Sequence, residues 1–391
     1  MALPLSRRRW LQISALAAGV ATLRGTGALA ADAPVKSEGL LVRSQDPYNA
    51  EPPLEKLAAE AVTPIEHFYV RNHGPTPKLD AAEVRLSIEG LVHKPVVVAL
   101  DELHGRFAEE EVAATLTCAG NRRREMSEVK PVGGVQWEAG AIGHANWTGA
   151  NLWQVLEMAE LKAGAKHVWF EGLDPIKEKD GSIAPFGGSI PLARALDKRQ
   201  PAILAHRMNG GPLAPEHGYP LRTVVPGYIG ARSVKWLTKI TVSDRPSPNH
   251  YVAEAYKLVQ SDAKEEMAMA EPIYSFPINA AICWPAAGAM LKAGDVAVSG
   301  YALPPGDGKT TIAKVELSTD GGRNWVPAKL DGQAAPSCWQ LWTAKVKLAA
   351  GDHTLIVRAI DSAGNSQPQR PQWNFKGYLH NAWHRCQVKV V

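Results

Sequence analysis

Short runs of alternating apolar and polar residues, separated by turn residues, make up most of this chain. "EVRLSIEGLV" (Glu83 to Val92) alternates with the period of a strand, and "HKPVVVALDEL" resumes the pattern after it. "GANLWQVLEMAEL" (Gly149 to Leu161) departs from that rhythm. Leu152, Val155, Leu156 and Ala159 fall at helical spacing there, with Asn151 as a candidate N-cap. "HVWFEGLD" reads as a buried strand ending in an acid, and "SIPLARALD" as a short helix started by Ser189. "LRTVVPG" and "SVKWLTKITV" read as further strands, and the Pro- and Ala-rich residues 31 to about 60 as an extended arm. There is no βαβ rhythm and no Gly-rich dinucleotide fingerprint, so this part is predicted to be mixed α+β.

The texture changes near Glu271 to Phe276. "DVAVSGYAL", "IAKVELSTDGGRNWVPAKL", "WTAKVKLAAGDHTLIVRAIDSAGN" and "WHRCQVKVV" are short strands with turn signals at sandwich-like spacing. In "VELSTDGGRNW", Asp320-Gly321-Gly322 is predicted to supply the positive-φ residues of a hairpin. Residues 272–391 are therefore predicted to form an all-β sandwich. The polar and then Met-rich "VQSDAKEEMAMAEPIYS" connects it to the part before.

A length of 391 residues predicts two domains. With 45% hydrophobic and 21% charged residues, there is enough apolar side chain for real cores. The net charge of +4 argues against a dedicated nucleic-acid binder and fits small anionic substrates or an acidic partner. Residues 1–30 differ from the rest. "SRRRWLQ" precedes the short apolar "ISALAAGVATL", and Ala28-Leu29-Ala30 forms a small-x-small cleavage site. The paired Arg7 and Arg8 make this a twin-arginine export signal, a class that carries folded and often cofactor-loaded proteins. No other stretch is long and apolar enough to span a membrane. None of the four cysteines, Cys118, Cys283, Cys338 and Cys386, forms C-x-x-C or the C-x-x-C-H of covalent haem. An oxidising compartment would permit one bridge among the last three.

"TLTCAGNRRREM" (Thr115 to Met126) sets one cysteine beside three arginines. A thiolate is a soft metal ligand, neighbouring cations lower its pKa, and Gly120 lets the backbone turn sharply. By residue type alone the loop is either a buried free cysteine next to a solvated basic loop, or a site for a thiolate-bound metal and an oxyanion. "HNAWHRC" places His380, His384 and Cys386 at spacings that suggest zinc. No second paired-ligand motif accompanies them, and the stretch reads as a terminal strand.

"TLTCAGNRRREM" resembles the cysteine loop of the sulfite oxidase family of molybdenum enzymes. Further segments resemble that family in the same order: "FYVRNHGPTP", "GGVQWEAGAIGHANWTGANL", "VWFEGLD", "GGSIPLARALD", "HRMNGGPLAPEHGYPLRTVVPGYIGARSVKWLTKI", "VELSTDGGRNW" and "NAWHRCQVKV". The resemblance covers most of residues 60–391. It implies an α+β molybdopterin-binding domain over 31–271, followed by an immunoglobulin-like sandwich over 272–391 that serves for dimerisation. It implies one molybdenum-molybdopterin per chain, with Cys118 as the protein's metal ligand. Arg71 and Arg123 fall at the family's substrate arginines, whose forks suit an oxyanion. Arg122 and Arg124 have no such role by position and read as surface charge or as partners of Glu125 and Glu128. His73 falls at the cofactor and Trp137 at a pocket wall. Tyr256 in "AEAYKLV" matches an active-site tyrosine able to orient substrate. His217, Arg222, Ser233 and Lys235 fall at positions that hold the pterin and its phosphate, and Asp174 is placed to accept from pterin N–H groups.

The function so implied is oxidation of sulfite to sulfate, with electrons leaving singly to an external c-type cytochrome, since this chain carries no haem motif. The expected setting is the periplasm, and the expected assembly a homodimer through the C-terminal domain. The rival reading is a molybdenum reductase acting on an oxidised sulfur compound such as methionine sulfoxide. The sandwich and the intact "RNH" and "CAGNRRR" segments speak against it. A binding protein with a vestigial site is the rival from outside catalysis.

Overall fold

Alternating sequence becomes strand wherever one face can be covered, and here it does so in several sheets. The computed structural model describes residues 39–177 and 181–391. The export signal read in residues 1–30 lies outside them. In the N-terminal part, "EVRLSIEGLV" contributes the strand Arg85–Gly90 to a five-stranded sheet. That sheet runs in the order Gly187–Pro191, His167–Glu171, Lys239–Ser243, Arg85–Gly90, Val96–Ala99. Its only parallel pair is Lys239–Ser243 with Arg85–Gly90; the other neighbours are antiparallel. A second sheet orders Gly211–Pro212, Ile203–Met208, Ile142–Asn151 and Glu109–Thr117, with Arg222–Val224 paired to Ile203–Met208. The predicted helix is Leu152–Ala159, and it buries Leu152, Val155, Leu156 and Ala159, the four residues at helical spacing. Asn151 sits at its N-cap position, but its side chain donates to Glu110 at 2.5 Å instead of capping.

Three readings change. The arm is a hairpin, Leu41–Gln45 with Tyr48–Glu51, and Val70–Arg71 adds a third strand to it. Ser189 does not start a helix. It lies within the strand Gly187–Pro191 opposite Trp169, and the helix Leu192–Ala195 begins only after Pro191. "SVKWLTKITV" is strand only over Lys239–Ser243, because Trp236 adopts a left-handed φ of 52° and breaks the run.

The C-terminal part is mostly strand. One sheet joins Asn279–Trp284, Gly294–Leu303, Gln340–Leu348 and Lys329–Leu330. The other joins Met290–Leu291, His384–Val390, Gly351–Asp361, Ile312–Ser318 and Val326–Pro327. Val298, Val315, Leu317, Trp342, Leu355 and Val357 fill the space between them. In the hairpin turn Gly321 and Gly322 carry positive φ, of 81° and 89°. Asp320 acts differently from the prediction: its carboxylate accepts the N–H groups of Arg323 and Asn324. The connecting segment contains a short helix, Lys264–Met269. All four cysteines are free thiols, so the bridge that the compartment would permit is not formed. No helix among the described residues is long and apolar enough to cross a membrane.

Candidate active site

The strand Glu109–Thr117 ends at Cys118, where the chain turns back on itself. Asn121 N–H closes the turn onto the Cys118 carbonyl at 2.9 Å, and Gly120 N–H points at Sγ at 3.4 Å. A Cβ at Gly120 would lie 2.5 Å from the Arg123 guanidinium and would displace it. Arg122, at φ 64°, takes the left-handed turn into the helix Arg123–Val129.

The sandwich holds this loop in place. Asn121 donates to the Tyr301 hydroxyl at 3.2 Å, and that hydroxyl donates to the Ala139 carbonyl at 2.9 Å. Arg122 is fully buried. It forms a two-pronged ion pair with Glu125 and donates to Asn279 Oδ1 at 2.7 Å. Leu379 N–H reaches the Ala119 carbonyl at 2.8 Å, and Arg123 Nε the Lys376 carbonyl at 3.1 Å. Of the two flanking arginines read as surface charge or ion-pair partners, Arg122 is thus an interior clamp. Arg124 pairs with Glu138 on the surface.

A cavity opens beside Cys118. Of the eleven residues placed at the site by sequence, nine line it: Arg71, His73, Cys118, Asp174, His217, Arg222, Ser233, Lys235 and Tyr256. They arrive on separate segments. Arg71 ends a short strand, Asp174 follows the strand His167–Glu171, and His217 closes the turn Pro215–His217. The break at Trp236 gives the loop that presents Ser233 and Lys235. Asn72, Glu216, Tyr69 and Phe186 also line the cavity and were not singled out. Asn72, between Arg71 and His73, was the one with a signal in its neighbours.

The tenth, Arg123, is not on the wall. It spends Nε on Lys376 O and Nη1 on Val135 O (2.8 Å), and its guanidinium sits 5.1 Å over the Tyr378 ring. Tyr378 in turn stacks on Tyr256 at 5.2 Å. Arg123 therefore stands behind a tyrosine pair, one layer from the cavity. Trp137 is also off the wall. It is fully buried, and its indole N–H has no partner among the described residues.

Positive charge dominates the cavity. Arg222 is buried and bonds only to carbonyls, His217 O at 2.7 Å and Ser233 O at 3.1 Å. Lys235 donates to Asn72 Oδ1 and Glu216 O. Arg71 donates to Asn49 Oδ1 and Asn72 O. Among the described residues none of these three cations makes an ion pair. Burial pushes Arg222 down to about 10 and, with Arg222 beside it, Lys235 well below the lysine range. Burial and the same cations keep His217 at about 3, hence neutral. Burial raises Asp174, while Lys235 and the Phe186 N–H (3.2 Å) pull it back. Buried cations with only neutral partners are costly unless an anion joins them. The residues fit a phosphate-bearing, dithiolene-bound metal group. Cys118 could supply sulfur to such a metal, Arg222 and Lys235 could supply charge to a phosphate, and Asp174 could accept from ring N–H groups. Tyr256 closes the other side, its hydroxyl 2.9 Å from His73 Nε2.

Comparison with known proteins agrees with that fit. Residues 73–251 match the family model of the oxidoreductase molybdopterin binding domain, and residues 270–391 that of the Mo-co oxidoreductase dimerisation domain. Arg71 and Tyr256 fall just outside the first match. The sulfite oxidase of Gallus gallus is 43% identical over 366 residues, which cover 90% of this chain and 78% of that protein. The sulfite oxidase of Arabidopsis thaliana is 36% identical over 91% of this chain and 95% of its own length. Among solved structures, the sulfane dehydrogenase SoxCD from Paracoccus pantotrophus superposes with a TM-score of 0.77 at 25% identity, covering 99% of this chain and 97% of that one.

Proposed function

The chain belongs to the sulfite oxidase family of molybdopterin oxidoreductases, and we propose that it oxidises sulfite to sulfate and passes the electrons to an external c-type cytochrome. The cofactor of the family is molybdenum-molybdopterin, which supplies oxygen-atom transfer and two-electron redox chemistry when bound. The observation that carries the reading is the meeting of one thiol and three cations without ion pairs in a single cavity. Arg71 offers donors to a small oxyanion where Cys118 would hold the metal. Its charge persists at any working pH, and an arginine fork matches oxyanion geometry. Tyr256, with its hydroxyl fixed by His73, offers a further donor, and burial keeps that phenol protonated. The reaction converts sulfite and water into sulfate, two protons and two electrons, so two one-electron acceptors are consumed per turn.

The alternative, reduction of an oxidised sulfur compound, gains no support from relatives that are sulfite oxidases along nine-tenths of this chain. The basic, apolar and small-x-small features of residues 1–30 favour twin-arginine export to the periplasm, where such cytochromes are available. Homodimerisation through the C-terminal domain accords with its family model. It also accords with the exposed Trp284, Met290 and Val391 in that part. The test is sulfite-dependent reduction of an added c-type cytochrome by the purified protein, with molybdenum assayed on the same sample. Two cytochromes reduced per sulfite, at about one molybdenum per chain, are expected. Full molybdenum with no sulfite turnover overturns the reading.

A further inference from the structure

Asn49 lies in the hairpin strand Tyr48–Glu51, ahead of both matched segments, and is 1% exposed. Its backbone pairs with Arg71. Its side chain does more. Oδ1 accepts the Asn72 N–H at 2.9 Å and Arg71 Nη1 at 3.2 Å, while Nδ2 donates to the Pro47 carbonyl at 2.8 Å. The amide is thus fixed from both ends. Turned over, it would set an NH₂ against two donors. Arg71 Nη1 also donates to the Asn72 carbonyl, and Asn72 Oδ1 accepts from Lys235 Nζ. One buried amide therefore sets Arg71 directly and Lys235 through Asn72.

The choice of group at this position matters. Nη1 of Arg71 is used on neutral oxygens, and among the described residues Nε and Nη2 have no hydrogen-bond partner. A carboxylate in place of the amide would match the guanidinium as an ion pair and cancel its charge toward any other anion. The neutral amide fixes the guanidinium and leaves that charge uncancelled. Resting on the proposed oxidation of sulfite, we infer that Asn49 is a positioning residue for anion capture: it aims Arg71 into the cavity while leaving its positive charge for the substrate.

The test uses the molybdenum-loaded full chain and two variants, Asn49→Asp and Asn49→Ala. The readouts are kcat and KM for sulfite, molybdenum content, and the dissociation constant for inorganic sulfate by calorimetry. Asn49→Asp is nearly isosteric and adds the cancelling charge. It is expected to raise KM and the sulfate dissociation constant together, by about tenfold or more, with a much smaller fall in kcat. Asn49→Ala removes the amide without adding a charge and is expected to raise both by a few-fold. If Asn49→Asp does not accumulate as folded protein, Asn49→Ser takes its place, with a rise of a few-fold expected. Unchanged KM and sulfate affinity in loaded variants would overturn the inference, as would loss of molybdenum with normal sulfate affinity in the remainder. If the wild type binds sulfate but does not turn over sulfite, the proposed function fails, and the sulfate measurement alone decides the role of Asn49.

Discussion

Replacing Glu125 with glutamine should loosen the cysteine loop, and the structure sets the size of the effect. Glu125 forms both prongs of its pair with Arg122, at 2.7 and 2.6 Å, and Arg122 is fully buried while the Glu125 side chain is 27% exposed. Burial alone would raise the Glu125 carboxyl. The charge and hydrogen bonds of Arg122 outweigh it and hold the group at about 2 rather than 4.5. A carboxyl lowered from 4.5 to about 2 contributes roughly 3 kcal/mol at about 1.36 kcal/mol per pH unit. Solvent at its exposed edge trims this to about 2–3 kcal/mol. The glutamine keeps one acceptor, and Asn279 and Ala280 still bond Arg122 Nη1. The cost should therefore stay below the range of about 3–5 kcal/mol for a buried charge stripped of its partner.

For a chain of 391 residues, an unfolding entropy of about 2.1 cal/mol/K per residue makes that loss a fall of about 2–4 °C in melting temperature at pH 7. The sign with pH follows from the depressed carboxyl. Its contribution is complete above about pH 5 and is lost as pH falls from 4.5 toward 2. Thermal melts of wild type and Glu125→Gln should thus differ by a constant gap from pH 7 to 5, and by a shrinking one from pH 5 to 3. Hydrogen exchange should place the loosening in residues 119–129. A gap under about 1 °C at pH 7, or one that does not narrow in acid, would refute the account of Arg122 as a clamp.

Cys118→Ser should abolish sulfite turnover while circular dichroism and the melting curve stay near wild type, since one small buried side chain replaces another; wild-type rates would remove Cys118 as the metal ligand. Arg71→Met removes a charge-assisted contact worth roughly 1.5–3 kcal/mol, so KM for sulfite should rise by about ten- to a hundredfold, and steady-state kinetics with unchanged constants would take Arg71 out of the substrate pocket. His144, buried and bonded to Thr115 Oγ1 at 3.0 Å, is lowered by burial to about 4. The folded protein resists charging it, so its contribution is full above about pH 6.5 and falls by about 3 kcal/mol as pH drops to 4. Unfolding of His144→Gln, followed in denaturant, should show a flatter stability over that interval than wild type.

What was legible in the sequence was whatever a short segment decides alone. Four residues at helical spacing are the four that Leu152–Ala159 buries, and Gly321 and Gly322 take the turn their lack of a side chain permits. The failures lie where distant partners decide. Ser189 has the chemistry of a helix start, but five residue pairs with His167–Glu171 hold its segment in strand. The run through Trp236 has the pattern of one strand. It breaks at Trp236, whose left-handed φ leaves Lys235 outside the strand and on the cavity wall. Arg123 sits at the right distance from Cys118 in sequence, yet the ring interposed before the cavity belongs to Tyr378, near the other end of the chain.

The same distinction explains why the site reads as chemistry in sequence but as architecture only in space. In sequence, the charge of "CAGNRRR" belongs with its cysteine. In the structure Arg122 clamps the sandwich, Arg124 pairs with Glu138 on the surface, and Arg123 stands one layer back. The cations on the cavity wall come instead from Arg71, Arg222 and Lys235 on three other segments. Among the described residues none of these makes an ion pair. Their partners are carbonyls and amides, which fix position and leave charge unspent. Neutral support of buried cations is destabilising by itself and is compensated only by an anionic occupant. An anionic occupant would thus stabilise the cavity. Of the arginines next to Cys118 in sequence, Arg122 and Arg123 tie its loop to the sandwich.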